Sequence, residues 1–327
     1  MLSGLNTFPR EALAAALAKL AAQNVYIGTS SWKYPGWLGL LYDEQRYIWR
    51  GKFAQSRFER DCLAEHAEVF HTVCVDAGYY RFPSPEYIEG LVKQTPPGYK
   101  LCFKVTDDIT ARTFPNLPRH GDKAGKRNEH FLNAELFRAA FLASCEPWRE
   151  RIGVLMFEFS HFHPRDFARG RDFVAALDTF LAQLPGGWQY GVEVRNQTLL
   201  CEPYFAVLRK HGVTHVLNNW QRMPSVAEQM RIPGVFTQDE FTAARLLLRP
   251  GRSFEEGVQL FSPYDSVKDV YEEVRRAAAA LVRMRQQAAE QRRTQPSYLF
   301  VNNRLEGNAL FTILATLQLL ESLDPGL

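Results

Sequence analysis

The sequence predicts a single (β/α)8 barrel with an extra N-terminal helix and an irregular crossover between its sixth and seventh strands. Eight short apolar runs alternate with longer amphipathic segments, the order that builds a parallel sheet from β-α units. The runs are continuously apolar, as strands covered on both faces are. A chain of 327 residues is also within the size at which such barrels form one domain.

The expected strands are Val25–Ile27, Thr72–Val75, Leu101–Val105, Ile152–Phe159, Tyr190–Val194, Thr214–Leu217, Leu246–Leu248 and Tyr298–Val301. Between them, Lys52 to Phe70 is amphipathic, and Ser84-Pro85-Glu86 opens a helix with a hydroxyl cap, a proline in the first turn and an acid at the positive end of the dipole. Asn133 caps a segment running to Arg149, and Asp172 to Leu184 stops at Pro185-Gly186-Gly187. Asp265 to Glu290 is the longest helical stretch, and Gly307 to Leu323 closes the chain. Over Arg222 to Thr242 the helix is expected to be short or missing. The expected division is a helical extension over residues 1–24 and a barrel over 25–327.

Composition narrows the classes. Residues 1–23 are alanine-rich, but Arg10, Glu11 and Lys19 interrupt the apolar run and no basic leader precedes it, which favours an amphipathic helix over a signal peptide. No stretch approaches the roughly 18 apolar residues of a membrane helix, so no membrane partner is expected. The five cysteines are widely spaced without a C-x-x-C pair and read as core packing in a reducing, cytoplasmic setting. No G-x-G-x-x-G follows a strand and no Walker-type loop occurs, so no nucleotide cofactor is expected. His161-x-His163 with Asp166 is too sparse for a metal site, which wants three protein ligands. His66, His71, His211 and His215 fall near helix ends or strand starts and read as structural. The net charge of +3 favours no particular partner, and the sequence sets no oligomeric state.

Several segments resemble the family called domain of unknown function 72, or YecE-like. The likeness is carried by Gly28-Thr29-Ser30-Ser31-Trp32-Lys33-Tyr34-Pro35-Gly36-Trp37, by Tyr79-Tyr80-Arg81-Phe82-Pro83-Ser84-Pro85-Glu86 and by Gln94-Thr95-Pro96-Pro97-Gly98. It continues at Phe103-Lys104, Glu193-Val194-Arg195 and Asn302-Asn303, in order from about residue 25 to 320. The resemblance implies a TIM-like barrel and a set of positions, but no reaction. Against the family pattern, Cys74 and Asp76 stand where Glu and Asn are usual, and Glu158-Phe159-Ser160 replaces Gln-Leu-Pro. Pro250-Gly251 replaces His-Gly, and Asn308 stands for a common His.

In such barrels function gathers at the carboxyl ends of the strands. That rule nominates Thr29, Ser30 and Trp32 after the first strand, Asp76 and Tyr80 after the second, and Lys104 at the end of the third. It adds Glu158, then Glu193 and Arg195, then Asn218 and Asn219 with Trp220, then Arg249, and finally Asn302 and Asn303. Three chemistries fit. Glu158 and Glu193 on adjacent strands suit paired acid/base work of hydrolase or lyase type. Lys104 suits an amine nucleophile only if no carboxylate holds it charged. Lys104, Arg195 and Arg249 suit a phosphate or carboxylate, and this reading asks least of geometry. Trp32, Tyr80 and Trp220 would wall a planar or sugar-like ligand. Alternatively, Lys104, Glu158, Glu193 and Arg195 would simply neutralise one another in a catalytically silent barrel. The loop at 112–127, with Arg112, Arg119, His120, Lys123, Lys126 and Arg127, offers a nucleic-acid backbone as a further partner.

Overall fold

The computed structural model describes residues 8–291 and 295–323. Eight parallel strands close into a barrel: β1 (Val25–Ser30), β2 (Thr72–Val75), β3 (Lys100–Lys104), β4 (Ile152–Phe159), β5 (Tyr190–Val194), β6 (Thr214–Asn219), β7 (Ala243–Leu246) and β8 (Ser297–Val301). Each pairs with its neighbour in sequence, and β1 closes the ring against β8, with Val25 beside Ser297 and Thr29 beside Val301. The expected α/β barrel is therefore what forms.

One strand is displaced. The seventh was expected at Leu246–Leu248 but runs over Ala243–Leu246. Arg245 interrupts the apolar run, so hydrophobicity alone starts the strand too late. The interior nevertheless accepts this arginine because three carboxylates meet it there.

The inward positions explain the barrel's layering. Side chains alternate faces along a strand, and the inward ones form an apolar middle layer that includes Cys74, Cys102, Met156, Val216, Ala243 and Phe300. Two residues further along the same strands the inward residues are Asp76, Lys104, Glu158, Asn218, Arg245 and Asn302. Thus one step of the pleat converts a dry plug into a polar layer at the mouth. Gly191 helps fill the plug by leaving space: a Cβ there would stand 2.7 Å from Val216 Cγ2.

Outside the barrel, the caps form as the residues dictate. Ser84 Oγ accepts from the Tyr87 amide with Pro85 in the first turn, and Asn133 Oδ1 accepts from Leu136 N. The N-terminal helix is Arg10–Ala22 and buries Leu13, Leu17 and Leu20, each contributing about 1.5–3 kcal/mol by removal from water; residues 1–7 of the expected extension lie outside the described residues. Between β6 and β7 the only helix among the described residues is Val226–Gln229, closed by a Ser225–Glu228 capping box, which is the expected irregularity. Four of the cysteines are buried and Cys201 is partly so, all as free thiols. No helix among the described residues is long and apolar enough to cross a membrane.

Candidate functional site

The polar layer is built around Arg245, a residue that sequence reading passed over. Its Nη1 donates to Glu193 Oε2 at 2.6 Å and to Glu158 Oε2 at 3.0 Å, and its Nη2 reaches Asp76 Oδ1 at 3.2 Å. Glu158 and Glu193 are direct register partners on β4 and β5. Arg195 sits across both, 2.7 Å from Glu193 Oε1 and 3.0 Å from Glu158 Oε2. Lys104 Nζ completes the set 2.7 Å from Glu158 Oε2. Three cations thus face three carboxylates.

This geometry fixes protonation. Burial alone would raise the Glu158 pKa, but Arg195, Lys104 and Arg245 outweigh it and hold the carboxyl well below its usual range. Burial would likewise lower Lys104, yet Glu158 beside it keeps the ammonium charged. Lys104 is therefore ion-paired and not a free amine, and Glu158 is held between three cations. Glu193 is completely buried and does not line the pocket, whereas its register partner Glu158 does.

Above this floor opens a pocket of about 450 Å³. Among the nominated residues, Asp76, Tyr80, Lys104, Glu158, Arg195, Trp220 and Asn302 line it. Others do not, and strand parity is the reason. Thr29, Asn219 and Asn303 face outward to the helices: Thr29 Oγ1 lies 3.0 Å from His66 Nε2, Asn219 Oδ1 accepts from Val226 N, and Asn303 Oδ1 accepts from Ala309 N. Their neighbours Ser30 and Asn218 are buried below the pocket, Asn218 donating to the carbonyls of Val194 and Val216. Adjacent strand residues cannot both face the interior. Trp32 is buried in packing and contributes no wall.

Arg249 is the clearest correction. Because β7 ends at Leu246, Arg249 lies beyond the mouth and donates to Asp269 at 3.2 Å; Arg245 occupies the position expected of it. Of the expected walls, Tyr80 and Trp220 line the pocket and Trp32 does not, while Tyr79 joins them. Tyr79 carries Lys104 Nζ 3.7 Å above its ring, and the Arg195 guanidinium lies 3.7 Å from the Trp220 ring centroid. Tyr80, Leu117 and Phe254 form an exposed apolar rim.

Two further arginines stand at that rim. Arg119 lies 5.0 Å from the Tyr80 ring, and Arg304 lies 4.5 Å from the Phe254 ring. Arg119 is 3.7 Å from Asp107 Oδ2, whereas Arg304 makes no ion pair among the described residues. Arg304 follows the Asn302-Asn303 pair directly, and a reading extended three residues past β8 would have found it.

The basic loop at 112–127 forms a strap across the mouth. Asn128 Nδ2 ties its base to the carbonyls of Asp108 and Ala111, each at 2.8 Å, and Pro115, Leu117 and Arg119 face the pocket. Arg112 lies against the rings of Phe131 and Phe167, and Lys123 donates to Asp108 at 2.9 Å. Asp166, weighed with the His161-x-His163 pair, instead accepts from Thr113 Oγ1 at 2.6 Å and from His163 N.

Comparison with known proteins decides the family: residues 26–325 match the model described as "Protein of unknown function DUF72". The chain belongs to the DUF72 family. Over 173 residues it is 29% identical to UPF0759 protein YecE of Escherichia coli strain K12, a match that spans 53% of this chain and 48% of that protein. It thus spans about half the length of the curated relatives it matches. A DUF72 family protein from Thermotoga maritima MSB8 superposes with a TM-score of 0.56 at 21% identity, over 91% of this chain and 99% of that one. One from Enterococcus faecalis V583 gives a TM-score of 0.58 at 16% identity, over 91% and 95%. At such identities these two establish the shared fold of the DUF72 barrel and nothing finer.

Proposed function

We propose that the mouth of this DUF72 barrel binds a small anionic ligand, gripped at the rim by Arg304 and Arg119 and not at the floor. The observation that carries the reading is the contrast among the cations. Lys104, Arg195 and Arg245 are each neutralised by carboxylates at 2.6–3.2 Å. Arg304 lines the same pocket with no ion pair among the described residues. Five cationic side chains line the cavity against Asp76 and Glu158 at the floor and the exposed Glu255 beside Phe254, so the surplus charge of the lining is positive. A guanidinium there can take a carboxylate or phosphate through two parallel hydrogen bonds, while Tyr80, Phe254 and Leu247 cover the ligand's apolar parts. Of the strap's cations, Arg112 lies against two aromatic rings and Lys123 pairs with Asp108, while Lys126 and Arg127 are exposed.

Calorimetric titration with small carboxylates and phosphates at low ionic strength tests the reading. Arg304→Gln is expected to weaken binding about tenfold, the equivalent of about 1.4 kcal/mol, with no loss of thermal stability. Unchanged affinity in that variant, or no anion bound by the wild type, would overturn it.

A further inference from the structure

We infer that the ligand is a polyhydroxylated anion, a short sugar-like chain ending in a phosphate or carboxylate, seated with its hydroxyls on the floor and its charge at the rim. This rests on the anion reading above and adds a ligand class and an orientation.

The argument concerns which atoms the ion network leaves over. All three cations that meet Glu158 converge on Oε2; among the described residues Oε1 receives nothing. Asp76 shows the same asymmetry, because Arg245 and the Cys74 thiol both approach Oδ1, leaving Oδ2 without a partner. Both residues line the pocket. Two carboxylate oxygens thus stand at its floor as acceptors, held in place by their other oxygens.

An independent donor completes the floor. Asn302 is 1% exposed and lines the pocket, and its Oδ1 accepts from Arg304 N at 3.0 Å, which sets the direction of its amide. Its Nδ2 makes no hydrogen bond of good geometry; its one weak partner is the oxygen of the Tyr34 hydroxyl, which itself donates to the Ser30 carbonyl. A buried donor without a partner costs about 1–3 kcal/mol, a cost that a ligand oxygen would relieve.

These leftovers discriminate between ligands. An anionic group on the floor would face two carboxylate oxygens and be repelled. A hydroxyl can donate to such an oxygen and at the same time accept from an amide, so neighbouring hydroxyls satisfy Glu158, Asp76 and Asn302 together. The charge must then lie at the other end, where Arg304 and Arg119 stand. The exposed ring of Tyr80 at the rim, beside Arg119, can cover the C–H face of such a chain, as aromatic rings with a polar edge do.

Matched pairs of probes test this: glycerol phosphate against propyl phosphate, and gluconate against hexanoate, titrated calorimetrically into the full chain. The hydroxylated member of at least one pair is expected to bind about tenfold or more tightly than its partner, the scale of one or two added hydrogen bonds. Which pair shows the larger advantage separates phosphate from carboxylate. In Asp76→Asn and in Asn302→Asp, which reverse an acceptor and a donor with little change of size, the advantage should shrink to about threefold or less while binding of propyl phosphate or hexanoate persists. Equal affinity within both pairs, with the Arg304 dependence intact, overturns this inference and leaves the anion reading standing. No binding by any of the four probes, or affinities indifferent to Arg304→Gln, overturns both. If either floor variant loses thermal stability, the matched pairs on the wild type still decide the question.

Discussion

Two clusters of acidic and basic side chains lie at the same end of the barrel, and they behave oppositely. In the floor, every carboxylate meets at least one cation at hydrogen-bond distance, and Glu158 meets three. In the clasp of the strap, Asp107 is just as buried, but Arg119 and His120 both stand 3.7 Å from its Oδ2, which makes no hydrogen bond. The floor groups project from strands whose register is set by the barrel. The clasp joins a short helix to a loop, and loops do not hold partners to that tolerance. The same residue types therefore give a depressed pKa in one place and a raised one in the other. Burial pushes Asp107 up to about 6 despite Arg119, because desolvation there exceeds the attraction.

The largest test removes the keystone of the floor. Arg245→Leu deletes contacts to three carboxylates and leaves Glu193 buried with Arg195 alone. A loss of about 3–5 kcal/mol is expected in urea unfolding, the scale for breaking a buried charge network from one side. A loss below about 1 kcal/mol, the scale of an exposed ion pair, would mean that the floor is not a network.

The next test separates the clusters by the sign of their pH dependence. Glu158 has a folded pKa below its ordinary value of 4.5, so the stability it contributes is present above that value and is lost as pH falls through the acid range. Glu158→Gln should cost about 1–3 kcal/mol at neutral pH, since Gln keeps an acceptor but not the charge, and should flatten the acid limb of the stability curve. An acid limb unchanged in the variant would assign that limb to other carboxylates.

Asp107 gives the reverse and the smallest effect. Its folded pKa of about 6 lies above the ordinary 3.8, so its contribution is full below pH 3.8 and is lost as pH rises through about 6. Hydrogen exchange of the strap amides, corrected for intrinsic chemistry, should show less protection at pH 7 than at pH 4. Asp107→Asn should remove the difference and gain about 1 kcal/mol of local protection at pH 7. Equal wild-type protection at the two pH values would break the contrast between clasp and floor.

Legibility in the sequence followed the same division. Lys104, Glu158, Glu193 and Arg195 were readable because each ends an unmistakable apolar run, and the possibility that they neutralise one another could be stated from charge alone. Thr29, Asn219 and Asn303 were misplaced because reading to a strand's end gathers both residues of an adjacent pair, whereas the pleat sends only one inward. Arg245 was missed and Arg249 chosen because a charged residue inside an apolar segment looks like its boundary. Arg304 lay just past the last run, where no hydrophobic pattern points.

The sequence by itself determined the barrel, its helical caps, the family and the strand ends at which polar groups would gather. Those follow from local periodicity and from short segments that act nearly alone. The tertiary structure decided which member of each pair faces inward, which cations are cancelled and which remain. Those outcomes depend on distances of 2.6–3.7 Å between residues as far apart as Asp76 and Arg245, and only closure of the ring brings such residues together.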